Sequence, residues 1–355
     1  MLLSHRLKYL IAYAIPFVIF LSLYLQGVYS YLALATIFGL LPLSELFLTG
    51  TKGNLNKIER AIVKEDRLYD ILLYGMVPVQ YGLLFYYLYH IGDPTLLPYE
   101  RVGMTIAMGI SCGVLGINVA HELGHRSTKF EQNLSKALLL TSLYMHFFIE
   151  HNRGHHKHVS TDDDPASSRL GEWVYAFWVR SAIGGWLSAW KLEAERLEKK
   201  KQSVFSLRNE MLVFQLIQVA FVLLIFALFD SQTTLYFFYV AMIGFLLLET
   251  VNYIEHYGLR RKKDGEFYQR TLPAHSWNSN HPIGRLVLFE LSRHSDHHYI
   301  ANRKFQTLRH FEESPQMPTG YPGMMLLSLV PPLWFLVMHR KLDRLRATSL
   351  GSALA

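Results

Sequence analysis

The 355-residue chain is 51% hydrophobic, 14% aromatic and only 18% charged, which excludes an ordinary water-soluble protein. Its net charge of +7 is accounted for by cationic loops flanking membrane segments, and nucleic acid need not be invoked. With a single cysteine, Cys112, the chain can form neither an internal disulfide nor a Cys-x-x-Cys iron centre, so any redox chemistry must import its electrons.

In chain order, six apolar runs approach the ~20 residues that cross a bilayer: 9–27, 31–49, 70–90, 103–120, 211–229 and 234–251. Each holds at most one or two ionisable residues, such as Glu45 in the second and Asp70 at the head of the third. Hydrocarbon offers backbone amides no partner, so these runs are predicted to be helices. The first is too long, and lacks the small-residue cleavage site, to be a removable signal peptide. Three further stretches are expected as interfacial or buried helices: 137–149 is short, 172–190 carries Arg180, and 323–338 is broken by Pro331-Pro332. The run KLEAERLEKKK at 191–201 reads as a solvated helix face, and no internal repeat is found.

Lys and Arg set the orientation. Arg6 and Lys8 precede the first run, and Lys52, Lys57, Arg60, Lys64 and Arg67 follow the second; the turns at 28–30 and 230–233 have none, and 91–101 has only Arg101. This places both termini in the cytoplasm, with the polar regions 121–208 and 256–355 beside each other there. The expected architecture is all-α: one integral-membrane domain over 1–355, six transmembrane helices under a cytoplasmic histidine-rich helical cap that holds a dinuclear metal site.

The metal site is read from the placement of the seventeen histidines. HELGH supplies His121 and His125 at i and i+4, on one helix face. EHNRGHHKH supplies His151, His155 and His156, with His158 outside the tight pattern; NYIEHYG supplies His256; RHSDHH supplies His294, His297 and His298. All four clusters fall in the two cytoplasmic regions, although the topology was derived from Lys and Arg alone. His5, His90, His310 and His339 read as isolated polar residues, and His146, His158, His275 and His281 as structural or supporting.

Nine imidazoles exceed what one ion takes, because a catalytic zinc uses three protein ligands and keeps one position open. They divide naturally into four or five for each of two ions. Imidazole suits iron, copper, zinc or nickel, so the spacing does not name the metal. The helix-bundle carboxylate di-iron pattern needs two Glu-x-x-His motifs, and only Glu122 to His125 is present. Ligating imidazoles usually hand their second N–H to a carboxylate; Glu122, Glu150, Glu255 and Asp296 are assigned that support, with Asp162 to Asp164 and Asp264 also near ligands in sequence. An intramembrane zinc protease using Glu122 as general base would need one more ligand and leave most of the histidines without a role. A metal transporter would carry ionisable groups inside the spans.

HELGHR, EHNRGHHKH, NYIEHYGL and LSRHSDHH, in this order, together with HSWNSNH (275–281) and FQTLRHFEESPQMPTGYPGMMLLSLVPPLWF (305–335), resemble the membrane-bound alkane 1-monooxygenases over nearly the whole chain. The His-Tyr-Gly element is the most discriminating part; one departure is Arg126, where many members have Lys. The resemblance implies a non-haem enzyme with two Fe ions held by the nine histidines. It inserts one atom of O2 into the terminal methyl of a medium-chain n-alkane, giving a 1-alkanol. Its electrons come from rubredoxin and an NAD(P)H-dependent reductase, at the bacterial inner membrane. Iron is chosen over zinc because O2 activation needs a metal that changes oxidation state. Some members carry rubredoxin fused at the C-terminus, and no such segment follows Leu350 here. Xylene monooxygenases and membrane lipid desaturases or hydroxylases share much of the pattern, while QTLRHFEESPQ leans toward the alkane enzymes. Leu291, one helical turn before His294, is expected to touch substrate arriving from the membrane lipid. Arg260, Arg261, Lys262 and Lys263, with Arg303, Lys304 and Arg309, are expected to steer an acidic electron carrier.

Overall fold

A computed structural model describes residues 2–347, so the C-terminal stretch beyond Leu350 lies outside the described residues. Among the described residues the regular structure is helical apart from a two-stranded hairpin, Lys263–Asp264 with Phe267–Tyr268, and one isolated bridge. The helices used below are α1 His5–Leu25, α2 Gly27–Glu45, α3 Arg67–Ile91, α4 Pro98–Gly124, α5 Val174–Lys199, α6 Glu210–Leu228, α7 Ser231–His256, α8 Tyr321–Ser328 and α9 Pro331–Ala347. All but α5, α8 and α9 are long and apolar enough to cross a bilayer, as the six apolar runs predict.

Two of these helices run further than their apolar stretches. The helix α4 continues through His121 to Gly124, and α7 ends on His256 itself. Beyond positions 120 and 251 the helices project into protein rather than lipid, so nothing there requires an apolar side chain. Small residues let α4 and α7 approach closely. A Cβ on Gly113 would lie 3.0 Å from Leu247 Cβ, and one on Gly244 would lie 2.7 Å from Cys112 Cβ. That close approach delivers His121 and His256 to the same end of the bundle.

The doubtful stretches are helices lying between or beside the spans. The stretch 137–149 is split between Lys129–Leu140 and the turn Phe147–Glu150, and 323–338 divides into α8 and α9 at the prolines. The helix α5 absorbs 172–190 and most of the charged run, whose solvation is only partial. Glu193 is fully buried; it pairs with Arg153 and Arg196 and accepts from the Glu210 backbone N–H at 2.9 Å. The charged run thus anchors the cap to the start of α6. A second buried ion cluster ties the cap to α1. Glu290 accepts from Tyr9 Oη at 2.7 Å and Arg285 Nε at 2.7 Å, and Arg285 reaches the Thr51 carbonyl at 2.9 Å.

Candidate metal centre

The nine histidines converge into two groups. His121, His125, His151, His156 and His297 form one; His155, His256, His294 and His298 form the other, and within each the ligating atoms all lie within 4.8 Å of one another. Local backbone geometry sorts them. In an α-helix residues five apart point about 140° away from each other, but His151–His155 is a π turn, whose i→i+5 bonding brings His151 and His156 onto one side. His155 is left to face the other group. On the short helix His294–Tyr299, His294 and His298 at i and i+4 turn toward one group, while His297, offset to the side of the same face, reaches the other.

The spacing fits bound ions. His151 Nε2 stands 3.0 Å from His125 Nε2 and 3.1 Å from His156 Nε2, which is 3.0 Å from His297 Nε2. In the second group His155 and His298 Nε2 are 3.2 Å apart, and His256 and His294 Nε2 are 3.3 Å apart. With about 2.0–2.1 Å for an imidazole–metal bond, neighbouring nitrogens on one ion fall about 3.0–3.4 Å apart. Hydrogen bonding cannot replace the ion. His151 and His156 Nε2 each face two other ring nitrogens, and a neutral ring nitrogen carries at most one hydrogen. His121 Nε2 is buried with no hydrogen-bond partner among the described residues. Burial, reinforced by neighbouring rings, holds His151, His156, His294, His297 and His298 well below the usual imidazole range and His125 down to about 3. These six rings thus favour the neutral form that metal ligands must take.

The supporting carboxylates are distributed differently from the sequence expectation. Glu255 Oε2 lies 3.1 Å from His294 Nε2, and its Oε1 accepts from Tyr321 Oη at 2.7 Å. Asp296 is fully buried but turns to Arg303 Nη1 (2.8 Å) and Arg309 Nη2 (3.2 Å) rather than to a ring, because it occupies the face of its helix opposite the ligands. Glu122 holds Arg126 at 2.7 Å and the Phe305 N–H at 3.1 Å. Glu150 Oε1 has no hydrogen-bond partner among the described residues. The carboxylate that grips a ligand is Asp164, whose Oδ2 is 2.9 Å from His155 Nδ1 and takes the Ser167 hydroxyl at 2.5 Å. Burial opposes its ionisation, and His155 with Ser167 nevertheless keeps it below the usual carboxylate range. Its signal in the sequence was the Asp162-Asp163-Asp164 run, which does not single out one of the three.

The cations expected to steer a carrier are partly committed internally. Arg261 donates to the Lys157 carbonyl at 2.7 Å, Lys304 reaches Asp70 at 2.9 Å, and Arg303 and Arg309 hold Asp296. Among the histidines set aside, His275 accepts the Leu272 N–H at 3.0 Å and His339 meets Tyr257 Oη at 2.9 Å.

Against the histidines lies an apolar cavity between α1, α2, α4, α7 and the cap. His121, His151, Glu255 and His294 line it along with Ile15, Phe38, Val114 and Leu247; Leu291 is in the same wall.

Residues 99–328 match the fatty acid desaturase family. The sequence is 39% identical over 316 residues to alkane 1-monooxygenase 2 of Pseudomonas aeruginosa, spanning 88% of this chain and 84% of that protein. It is 40% identical over 311 residues to alkane 1-monooxygenase of Pseudomonas putida, spanning 87% and 77%. The chain belongs to the alkane 1-monooxygenase family. A more distant relative is the xylene/toluene monooxygenase hydroxylase component XylM of Pseudomonas putida, 29% identical over 274 residues, 76% of this chain and 73% of that protein. Membership in the alkane 1-monooxygenase family, six apolar helices and the clustered histidines together describe a multi-pass, metal-binding membrane oxidoreductase.

Proposed function

We propose that this protein hydroxylates the terminal methyl of medium-chain n-alkanes to 1-alkanols with O2. In this reading two Fe ions are held by His121, His125, His151, His156 and His297, and by His155, His256, His294 and His298. Electrons come from rubredoxin and its NAD(P)H-dependent reductase, and the chain sits in the bacterial inner membrane with both termini cytoplasmic. The observation that carries this reading is the apolar cavity ending on the histidines: a substrate without a polar handle has a place to lie against the metal ligands.

When bound, the irons supply the redox chemistry that O2 activation requires. The chain's residues supply position and exclusion. An alkane dissolved in the bilayer is already in hydrocarbon, so the cavity gains little from hydrophobic transfer, and selection among alkanes rests on steric fit. Ile15, Phe38, Val114 and Leu247 hold the chain while His121 and His294 stand at the reacting end. A linear molecule in a narrow slot presents its end, which accounts for terminal attack. Asn118 and Asn252 are the polar amides in the cavity wall, near the histidines, and suit an alcohol product.

Purified protein with rubredoxin, reductase and NAD(P)H, assayed by chromatography over an alkane chain-length series, is expected to yield 1-alkanols with two irons per chain. Subterminal alcohols, or conversion of xylenes or acyl lipids in preference to alkanes, would redirect the reading to the related hydroxylases and desaturases. One zinc per chain would redirect it to a protease.

A further inference from the structure

Against His151 is a second, small chamber of quite different character, with room for about one water molecule. Its wall carries Tyr144, His146, Glu150, Ser181, Glu249 and Asn252, each of them buried. Tyr144 Oη donates to Glu249 Oε1 at 2.7 Å, and Asn252 Nδ2 lies 3.4 Å from Glu249 Oε2. Phe147, His151 and Asn252 line both spaces, so the chamber and the cavity are two sides of one partition that includes a candidate metal ligand.

Two buried carboxyls, Glu150 and Glu249, thus share a polar chamber, and no Lys or Arg forms a salt bridge to either among the described residues. Ionisable groups at the depth of a membrane helix are costly, and where they persist they commonly mark proton or ion routes. Glu150 Oε1, buried without a partner among the described residues, offers the kind of bare acceptor that internal water satisfies. Ala166, Ser181 and Gly185 complete its wall, and a Cβ on Gly185 would sit 3.8 Å from Glu150 Cγ.

A monooxygenase turnover balances as R–H + O2 + 2 e⁻ + 2 H⁺ → R–OH + H2O. The O–O bond breaks, one oxygen enters the C–H bond, and the other leaves as water after taking two protons. The electrons come from the external carrier. The apolar cavity suits the alkane, and its few polar groups, Asn118, Asn252 and Glu255 with Tyr321, lie near the histidines, whereas the second chamber carries Glu150, Glu249 and Tyr144 together. We propose that the chamber bounded by Tyr144, Glu249 and Asn252 is the route by which protons reach the histidine cage and water leaves it, with Glu249 as the relay residue. The inference rests on the cage being the site of O2 chemistry. It separates the two traffics: hydrocarbon on one side of His151, protons and water on the other.

The test uses the full-length enzyme with its carrier and reductase. Glu249→Gln keeps the acceptor for Tyr144 but cannot relay a proton. Turnover is expected to fall about 100-fold, the lower end of what a positioned proton-transfer group contributes, with a raised solvent deuterium isotope effect and unchanged metal content and alkane KM. Glu249→Asp is expected to recover most of the loss. Gly185→Val, which narrows the chamber without removing a charge, is expected to give a smaller effect with the same isotope signature. In metal-free protein, exchange into D2O is expected to shift an infrared carboxyl band that is missing in Glu249→Gln, which shows water access without turnover. The proposal is overturned by a Glu249→Gln enzyme with parental turnover and isotope effect, by one that loses its metal, or by a carboxyl band indifferent to D2O. A parent protein that forms no hydroxylated product from any alkane would overturn the reading of the cage itself, and the inference with it.

Discussion

The two histidine groups differ less in their ligands than in what stands around them. The five-histidine group is ringed by neutral imidazoles, and no carboxylate oxygen hydrogen-bonds to any of its rings among the described residues. The four-histidine group has Asp164 on the far nitrogen of His155 and Glu255 beside the near nitrogen of His294. A carboxylate on a ring N–H fixes its tautomer and makes the other nitrogen a better donor. A second anion beside the ligating atom partly balances the charge of an ion. On the proposed two-ion reading, the four-histidine position is expected to offset its one missing imidazole with this carboxylate support.

The largest effects come from cutting into the groups themselves. His297→Ala and His294→Ala remove ligands only three residues apart, but from different groups. Each is expected to abolish alkanol formation while the chain keeps one ion, measured by metal analysis of the purified variants. Loss of both ions from either variant would show that the groups fold as a single unit and that their separate character has no energetic meaning.

Asp164→Asn probes the asymmetry more gently. Loss of such a partner typically weakens metal affinity about 10–100-fold, and here the loss should fall on one ion of the two. Graded chelation followed by metal analysis is expected to strip a first ion early from the variant and a second at the parental concentration. Two ions leaving together at a lower concentration would break the comparison, because it would mean that Asp164 supports the whole cage.

Asp164 also shows where sequence reasoning stopped. The histidines were legible because helix periodicity puts i and i+4 on one face, and because four clusters fell at one end of a topology set by other residues. The six spans were legible because a bilayer dictates their length. Which histidine joins which group was not, since it depends on the π turn at His151–His155, a backbone event that no residue there announces. Carboxylate support was legible at Glu255 but not at Asp296 or Asp164, for a related reason. Asp296 lies between ligands in sequence but faces Arg303 and Arg309, whereas Asp164 is eight residues from the nearest assigned ligand along the chain and touches His155. Neighbourhood along a helix says little about which face a side chain takes.

Glu255 distinguishes the groups on the substrate side, since it lines the cavity as well as meeting His294. Tyr321→Phe removes the 2.7 Å bond that holds it, and a buried hydrogen bond of this kind contributes about 0.5–1.5 kcal/mol. A few-fold fall in affinity for the ion of the four-histidine group is expected, with the five-histidine ion unaffected; the graded chelation series reads both. Equal sensitivity of the two ions would separate Glu255 from the asymmetry.

The smallest effect is expected at Leu291, which lines the cavity and also a narrow space shared with His121 and His297. It lies in the turn that precedes the His294–Tyr299 helix, not one helical turn back on it as the sequence suggests, and its wall positions set it beside His294 on one side and His121 and His297 on the other. Leu291→Phe adds bulk at the reacting end without touching a polar atom. Because the alkane arrives from hydrocarbon, the change acts through fit alone, and a methylene that no longer fits is worth about 1–3 kcal/mol. The preferred chain length is expected to shorten by about one or two carbons at unchanged metal content. A parental chain-length profile would place Leu291 outside substrate contact, and a loss of metal confined to one group would make it a packing element of that group instead. A shortened profile with both ions retained would show that the asymmetry between the groups concerns holding the metals, and that the cavity wall selects the substrate independently of it.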